Sequence, residues 1–215
     1  MIDYRARVGD TDEARMLVLP VTLRAKTADD DGDVLEGLAA QFNTWTQIGD
    51  PEWGFMESIA PGAFTRSIQD DDIRSFFNHD SNIVLGRTSA KTAAFVEDDI
   101  GLRAVIRPPG TAAARDVITL IRRGDVTGMS FMFRTRKDQW EEPATKGALP
   151  KRTLMDVQLY EAGPVTFPAY ESTSIHAREQ SMACRDGRPV DPGLLTRRKE
   201  ADRLMFELAV AAVEL

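Results

Sequence analysis

The chain has 215 residues, 42% of them hydrophobic, and a formal charge of −7 with an isoelectric point near 5.0. One ordinary domain plus tails fits that length, and an acidic balance without a basic block argues against a nucleic-acid partner. The single cysteine, Cys184, rules out a disulfide framework or cysteine-based zinc site; residues 1–12 are charged, unlike a signal peptide, and no window approaches the ~20 apolar residues of a membrane span, so the chain reads as cytosolic.

Residues 15–25 (RMLVLPVTLRA) read as a strand or strand pair interrupted by Pro20, which belongs at an edge or bulge. An acidic turn at 27–33 leads to an extended run at 34–42, then a loop at 43–53 with Gly49 and Asp50-Pro51. Within 57–68 (ESIAPGAFTRSI), Pro61 and the Phe64/Ile68 spacing predict a short helix. Asp70–Asp72 reads as a solvated acidic turn. Residues 74–79 (RSFFNH) read as a short strand that would set Ser75, Phe77 and His79 on one side.

Residues 92–96 and the alternating stretch 102–107 (LRAVIR) predict a hairpin about Asp98–Gly101. The strongest helix signal is 112–123. Thr111 can cap it, Ala114, Val117, Ile118 and Ile121 form one stripe, Arg122 and Arg123 sit in the last turn, and Gly124 suits the C-cap. Gly128 then frees the backbone before a strand carrying one serine, Ser130, among bulky apolar residues, and running to about Trp140. After a Pro/Gly loop at 141–151, residues 153–161 return as a second strand, which Ala162-Gly163-Pro164 should break. A short apolar element at 165–170 closes the core.

Residues 1–33 thus read as an N-terminal segment and 34–170 as the core. Residues 171–193 read as a polar linker, and 194–215 as a C-terminal helix begun by Asp191-Pro192, with Leu204, Leu208 and Ala211 on one side. That helix either packs on its own domain or serves as a partner or dimerisation element. Many short strands and few helices predict a mainly β, α+β fold: an antiparallel sheet or barrel with packed helices.

Only two histidines occur, His79 and His176, too few for a histidine-based metal site. Gly-Met-Ser-Phe-Met is not a Gly-x-Ser-x-Gly elbow, because Met132 holds the last glycine position. There is no nucleotide-binding loop, and no cofactor or metal is expected. Taken alone, a strand serine more often satisfies local hydrogen bonds than attacks a substrate. Nucleophilic use of Ser130 requires a base and a group to orient that base. Histidine, with an ordinary pKa of about 6.5, can take the hydroxyl proton and return it. Glu161 shares parity with Met155, Val157 and Leu159, so an unbroken strand would aim it at the apolar side, where a carboxylate needs a partner such as imidazole N–H. A strand ending at Tyr160 would instead leave Glu161 in solvent.

Residues 55–67 (FMESIAPGAFTRS), Asn78-His79-Asp80, 83–87, Asp99-Ile100-Gly101-Leu102, 122–133 (RRGDVTGMSFMF) and 159–170 (LYEAGPVTFPAY) occur in this order. The set resembles the prohead (capsid maturation) serine proteases of tailed bacteriophages, over roughly residues 35–178. The resemblance implies a catalytic His79, a nucleophilic Ser130 and Glu161 as third member. It also implies an antiparallel β-barrel flanked by helices, similar to herpesvirus assemblins. By the assemblin analogy His176 is the alternative third member, and Arg122 or Arg123 could assist the oxyanion through water.

The resemblance further implies cleavage of scaffold protein or of the major capsid protein's scaffolding segment, and self-cleavage in a loop or tail. The setting would be the assembling procapsid in the host cytoplasm, with a homodimer or higher oligomer possible. Two positions depart from the family pattern: Met132 stands where glycine is common, and Gly163 where serine is common. The competing expectation is a non-catalytic assembly module that binds capsid or scaffold protein.

Overall fold

The computed structural model describes residues 13–166 apart from 18–20, 25–32, 51, 53, 144 and 146. Pro20, the acidic turn at 27–33 apart from Asp33, the end of the 165–170 element, His176, Cys184, the linker and the C-terminal helix lie outside the described residues. In chain order the elements are β1 (Glu13–Leu17), β2 (Val21–Arg24), β3 (Val34–Gln41), β4 (Thr46–Ile48), β5 (Phe55–Ile59), α1 (Thr65–Asp70), β6 (Arg74–Phe77), β7 (Asp80–Arg87), β8 (Ala93–Glu97), β9 (Gly101–Ile106), α2 (Ala112–Arg123), β10 (Gly128–Glu141) and β11 (Lys151–Val165).

The fold is mainly β with few helices. One sheet has the order β1-β10-β11-β5-β4, with β6 pairing both β11 and β7, and the other has the order β2-β3-β9-β8. Among the described residues these ladders form two sheets, not the closed antiparallel barrel expected from the sequence. The larger sheet is also mixed: β11 runs parallel to β5 and to β6. The reason lies in the connections. The β10–β11 hairpin fixes the direction of β11, and the chain around α1 lays β5 and then β6 along its free edge in the same direction.

That edge is occupied from end to end. Lys151–Leu154 pair with Met56–Ile59, Val157 N–H donates to Ala63 O, and Leu159 N–H donates to Ser67 Oγ at 2.7 Å. Farther along, Glu161 pairs with Arg74, and Asn78 N–H donates to Pro164 O. Pro164 therefore does not break β11, as its sequence context suggests it should. In an extended strand the N and O of one residue face the same neighbour, so the missing N–H lies toward Asn78 and no β10 bond is lost.

The two sheets share one apolar core, into which α2 also packs. Leu35, Leu102 and Ile106 from the smaller sheet join Phe131, Phe133, Leu154, Val157 and Leu159 from the larger. The rings of Phe42, Phe64, Phe131 and Phe133 form a chain with centroids 6.3, 5.6 and 5.3 Å apart. α2 follows its sequence pattern closely. Thr111 accepts from Ala114 N–H, the four stripe residues are buried, and Gly124 takes φ 80° at the C-cap.

Candidate active site

Ser130 lies near the start of β10, opposite Gly163 on β11 and Met16 on β1. Its side chain faces away from Phe131, which is in the core, because alternate residues of a strand point to opposite faces. Glu161 reaches the Ser130 face through a β-bulge. The register passes from Met132↔Glu161 to Phe133↔Leu159, so Tyr160 is an extra residue in β11. Leu159 accordingly pairs with Phe133 on the core face, while Glu161 pairs with Met132 on the face of the serine.

The parity argument had placed Glu161 on the Leu159 side. The carboxylate is indeed buried, but on the opposite face. Met155, given the same parity, is exposed, because a second irregularity falls there: Asp138 pairs with Leu154 and Lys137 with Asp156, which leaves Met155 as an extra residue in β11.

His79 is carried over this face by a tight hairpin. β6 ends at Phe77 and β7 begins at Asp80, and these two residues pair. Asn78 and His79 form the turn with φ of 53° and 58°, the left-handed pair of a type I′ connection. Asparagine tolerates this region, but a histidine at the position usually given to glycine is strained. Side-chain contacts fix the turn: Asn78 Nδ2 donates to Thr166 Oγ1 at 2.9 Å, and Thr166 N–H donates to Asn78 Oδ1 at 2.7 Å. The sequence reading had set His79 on the strand with Ser75 and Phe77; the strand stops two residues earlier.

The imidazole bridges the other two groups. Nδ1 is 2.6 Å from Glu161 Oε2, and Nε2 is 2.7 Å from Ser130 Oγ. With Glu161 ionised, Nδ1–H donates to the carboxylate, and Nε2 is left to accept the serine O–H. The other carboxylate oxygen, Oε1, accepts from Phe76 N–H at 3.3 Å. Burial holds the Glu161 carboxyl above the ordinary carboxylate range, and its hydrogen bond and charge interaction with His79 act against that shift. Ser130 and Glu161 are fully or nearly fully buried, while His79 is partly exposed. The arrangement supplies a hydroxyl, a base in contact with it and an anion that orients the base, which is what acyl transfer to serine needs.

His79, Ser130 and Glu161 are thus brought together from three separate elements. Arg122 pairs with Asp33, and Arg123 Nε lies 3.0 Å from Asp125 Oδ2, so both arginines have carboxylate partners at the end of α2. Among the described residues no group of three or more His, Cys, Asp or Glu is placed to hold a metal ion.

The sequence reading did not foresee the roles of Asn78 and Gly163. An Asn-x pair between two short strands was the available sign of the turn. Gly163 has no room for a side chain: a Cβ would stand 2.1 Å from Phe76 O.

The family model of the caudovirus prohead serine proteases matches residues 20–186. The chain belongs to that family. Among solved structures it is similar to the bacteriophage T4 capsid assembly protease, at 9% sequence identity and a TM-score of 0.46, over 72% of this chain and 96% of that one. No curated protein matches it.

Proposed function

We propose that the chain is a serine endopeptidase of the Ser-His-Glu type, acting inside the assembling procapsid on scaffold protein or on the scaffolding segment of the capsid protein, and on itself. Ser130 attacks the peptide carbonyl while His79 takes its proton, and Glu161 orients the resulting imidazolium. Backbone N–H groups hold the oxyanion. His79 then protonates the leaving amine, and water hydrolyses the acyl-enzyme by the same route in reverse.

One observation carries the reading: a single imidazole contacts both Ser130 Oγ and Glu161 Oε2, at 2.7 and 2.6 Å. Membership of a prohead protease family supports the substrate class.

Co-expression with the capsid and scaffold proteins tests the proposal, with mass spectrometry of all mature termini. Wild type should yield new termini, whereas Ser130→Ala should assemble and fold normally and yield none. Continued cleavage by Ser130→Ala would end the catalytic reading. No cleavage by wild type, with stable binding to capsid or scaffold protein, would favour a non-catalytic assembly module.

A further inference from the structure

Ser75, on β6, is fully buried, and its Oγ has no hydrogen-bond partner among the described residues. Buried hydroxyls are nearly always paired, so an unpaired one calls for a reason. Its surroundings supply one. A Cβ placed on Gly163 would stand 2.9 Å from Ser75 Oγ and 3.1 Å from Glu161 Oε1, so both oxygens line the same small space. The next residue, Phe76, already donates its N–H to Oε1 at a long 3.3 Å. Oε1 is also the oxygen that His79 leaves free, since the imidazole bonds Oε2.

We propose that Ser75 is a positioning residue of this site. By rotation about its χ1 bond, its hydroxyl donates to Glu161 Oε1 and holds the carboxylate ionised and in line with His79 Nδ1 while the imidazole carries the proton of Ser130. This rests on the catalytic reading given above. Among the described residues the charged groups facing Glu161 are few. His79 bonds it directly, and Arg74, its ladder partner on β6, has its guanidinium engaged by Asp72, at 3.3 Å from Oδ2. Ser130, Met132 and Gly163 on the same face carry no charge. Ser75 is thus the neutral donor left to serve Oε1.

The test is Ser75→Ala in the full chain, with Ser75→Thr as the variant that keeps the hydroxyl. His79 is followed by NMR titration without substrate. The chain has only two histidines, so His176→Gln assigns the signals. The hydroxyl turns to Oε1 when the imidazole carries a proton and so favours that state; its loss should therefore lower the His79 midpoint by about one unit. kcat should fall about tenfold at unchanged KM, the effect of one hydrogen bond to a charged group. The Tm should hold or rise, because the oxygen removed is unpaired in the resting fold. Ser75→Thr should bring the midpoint back toward wild type.

If the midpoint and kcat of Ser75→Ala match wild type, or its Tm falls in step with its activity, Ser75 only fills space and the proposal is wrong. Because the titration needs no proteolysis, this result stands apart from whether Ser130→Ala abolishes cleavage.

Discussion

The carbonyl oxygen of Phe76 lies directly over Gly163, 2.1 Å from where a Cβ on that residue would stand. The backbone of β6 crosses the Ser130 face of β11 at this point, and the crossing sets the height at which the following turn delivers His79. Gly163→Ala must therefore push the β6–β7 hairpin outward. A displacement of about 1 Å at a reacting group costs about 10²-fold in rate, and overpacking costs about 1–3 kcal/mol in stability. Cleavage assays and urea unfolding should show both losses. A fully active, equally stable Gly163→Ala would mean that the hairpin is not held against β11 in this way.

The left-handed backbone at His79 leads to an unusual prediction. His79→Gly removes the base but gives the turn the Asn-Gly sequence that this geometry prefers. Such strain is typically worth ~1–3 kcal/mol, which offsets the similar cost of leaving Glu161 Oε2 without its imidazole donor, so the variant should melt close to the wild-type temperature. Its activity should fall by about 10²–10⁴-fold and recover in part on adding imidazole. A loss of stability of about 3 kcal/mol or more, or no rescue by imidazole at any concentration that leaves the fold intact, would contradict the assigned roles.

Burial raises the proton affinity of Glu161 in the folded chain, which fixes the sign of a stability effect. A group whose folded pKa lies above its unfolded one contributes stability at low pH, and that contribution is lost as pH rises through the folded value. At neutral pH the charged carboxylate thus works against folding. Glu161→Gln should match wild-type stability below the ordinary carboxylate range. Through that range and up to the raised Glu161 value it should become progressively more stable than wild type. Its activity should fall by about 10³–10⁴-fold, as when a triad carboxylate is amidated. Denaturant unfolding at several pH values reads the first effect and kcat the second.

Far from the serine, Arg152 is buried among three carboxylates drawn from three other strands. It contacts Glu13 (2.7 Å), Glu57 (3.0 Å) and Asp138 (2.9 Å) and lies near the rings of Phe55 and Trp140. Arg152→Met should destabilise the fold by about 3–5 kcal/mol, because it leaves buried carboxylates without that cation. Replacing Glu13, Glu57 and Asp138 by their amides in the same background should recover part of the loss. Unfolding midpoints decide it, and a near-neutral single variant would refute the network's role.

Elements whose signal is local were legible in the chain itself. α2 follows from Thr111, a four-residue apolar stripe and Gly124, all within 14 residues of one another, and the β8–β9 hairpin follows from alternation about a turn. His79, Ser130 and Glu161 were named from scarcity, spacing and resemblance, which identify residues but cannot say which face of a sheet they occupy. Strand parity holds only while the ladder is regular. The extra residue at Tyr160 breaks it and moves Glu161 from the side of Leu159 to the side of Ser130. Neither the parallel course of β5 and β6 along β11 nor the crossing over Gly163 has a sequence signature, because both depend on which distant segment lies alongside. Local propensity and pattern determined the elements. Long-range pairing, with its bulges and close backbone approaches, decided that an imidazole, a hydroxyl and a carboxylate from three parts of the chain would meet.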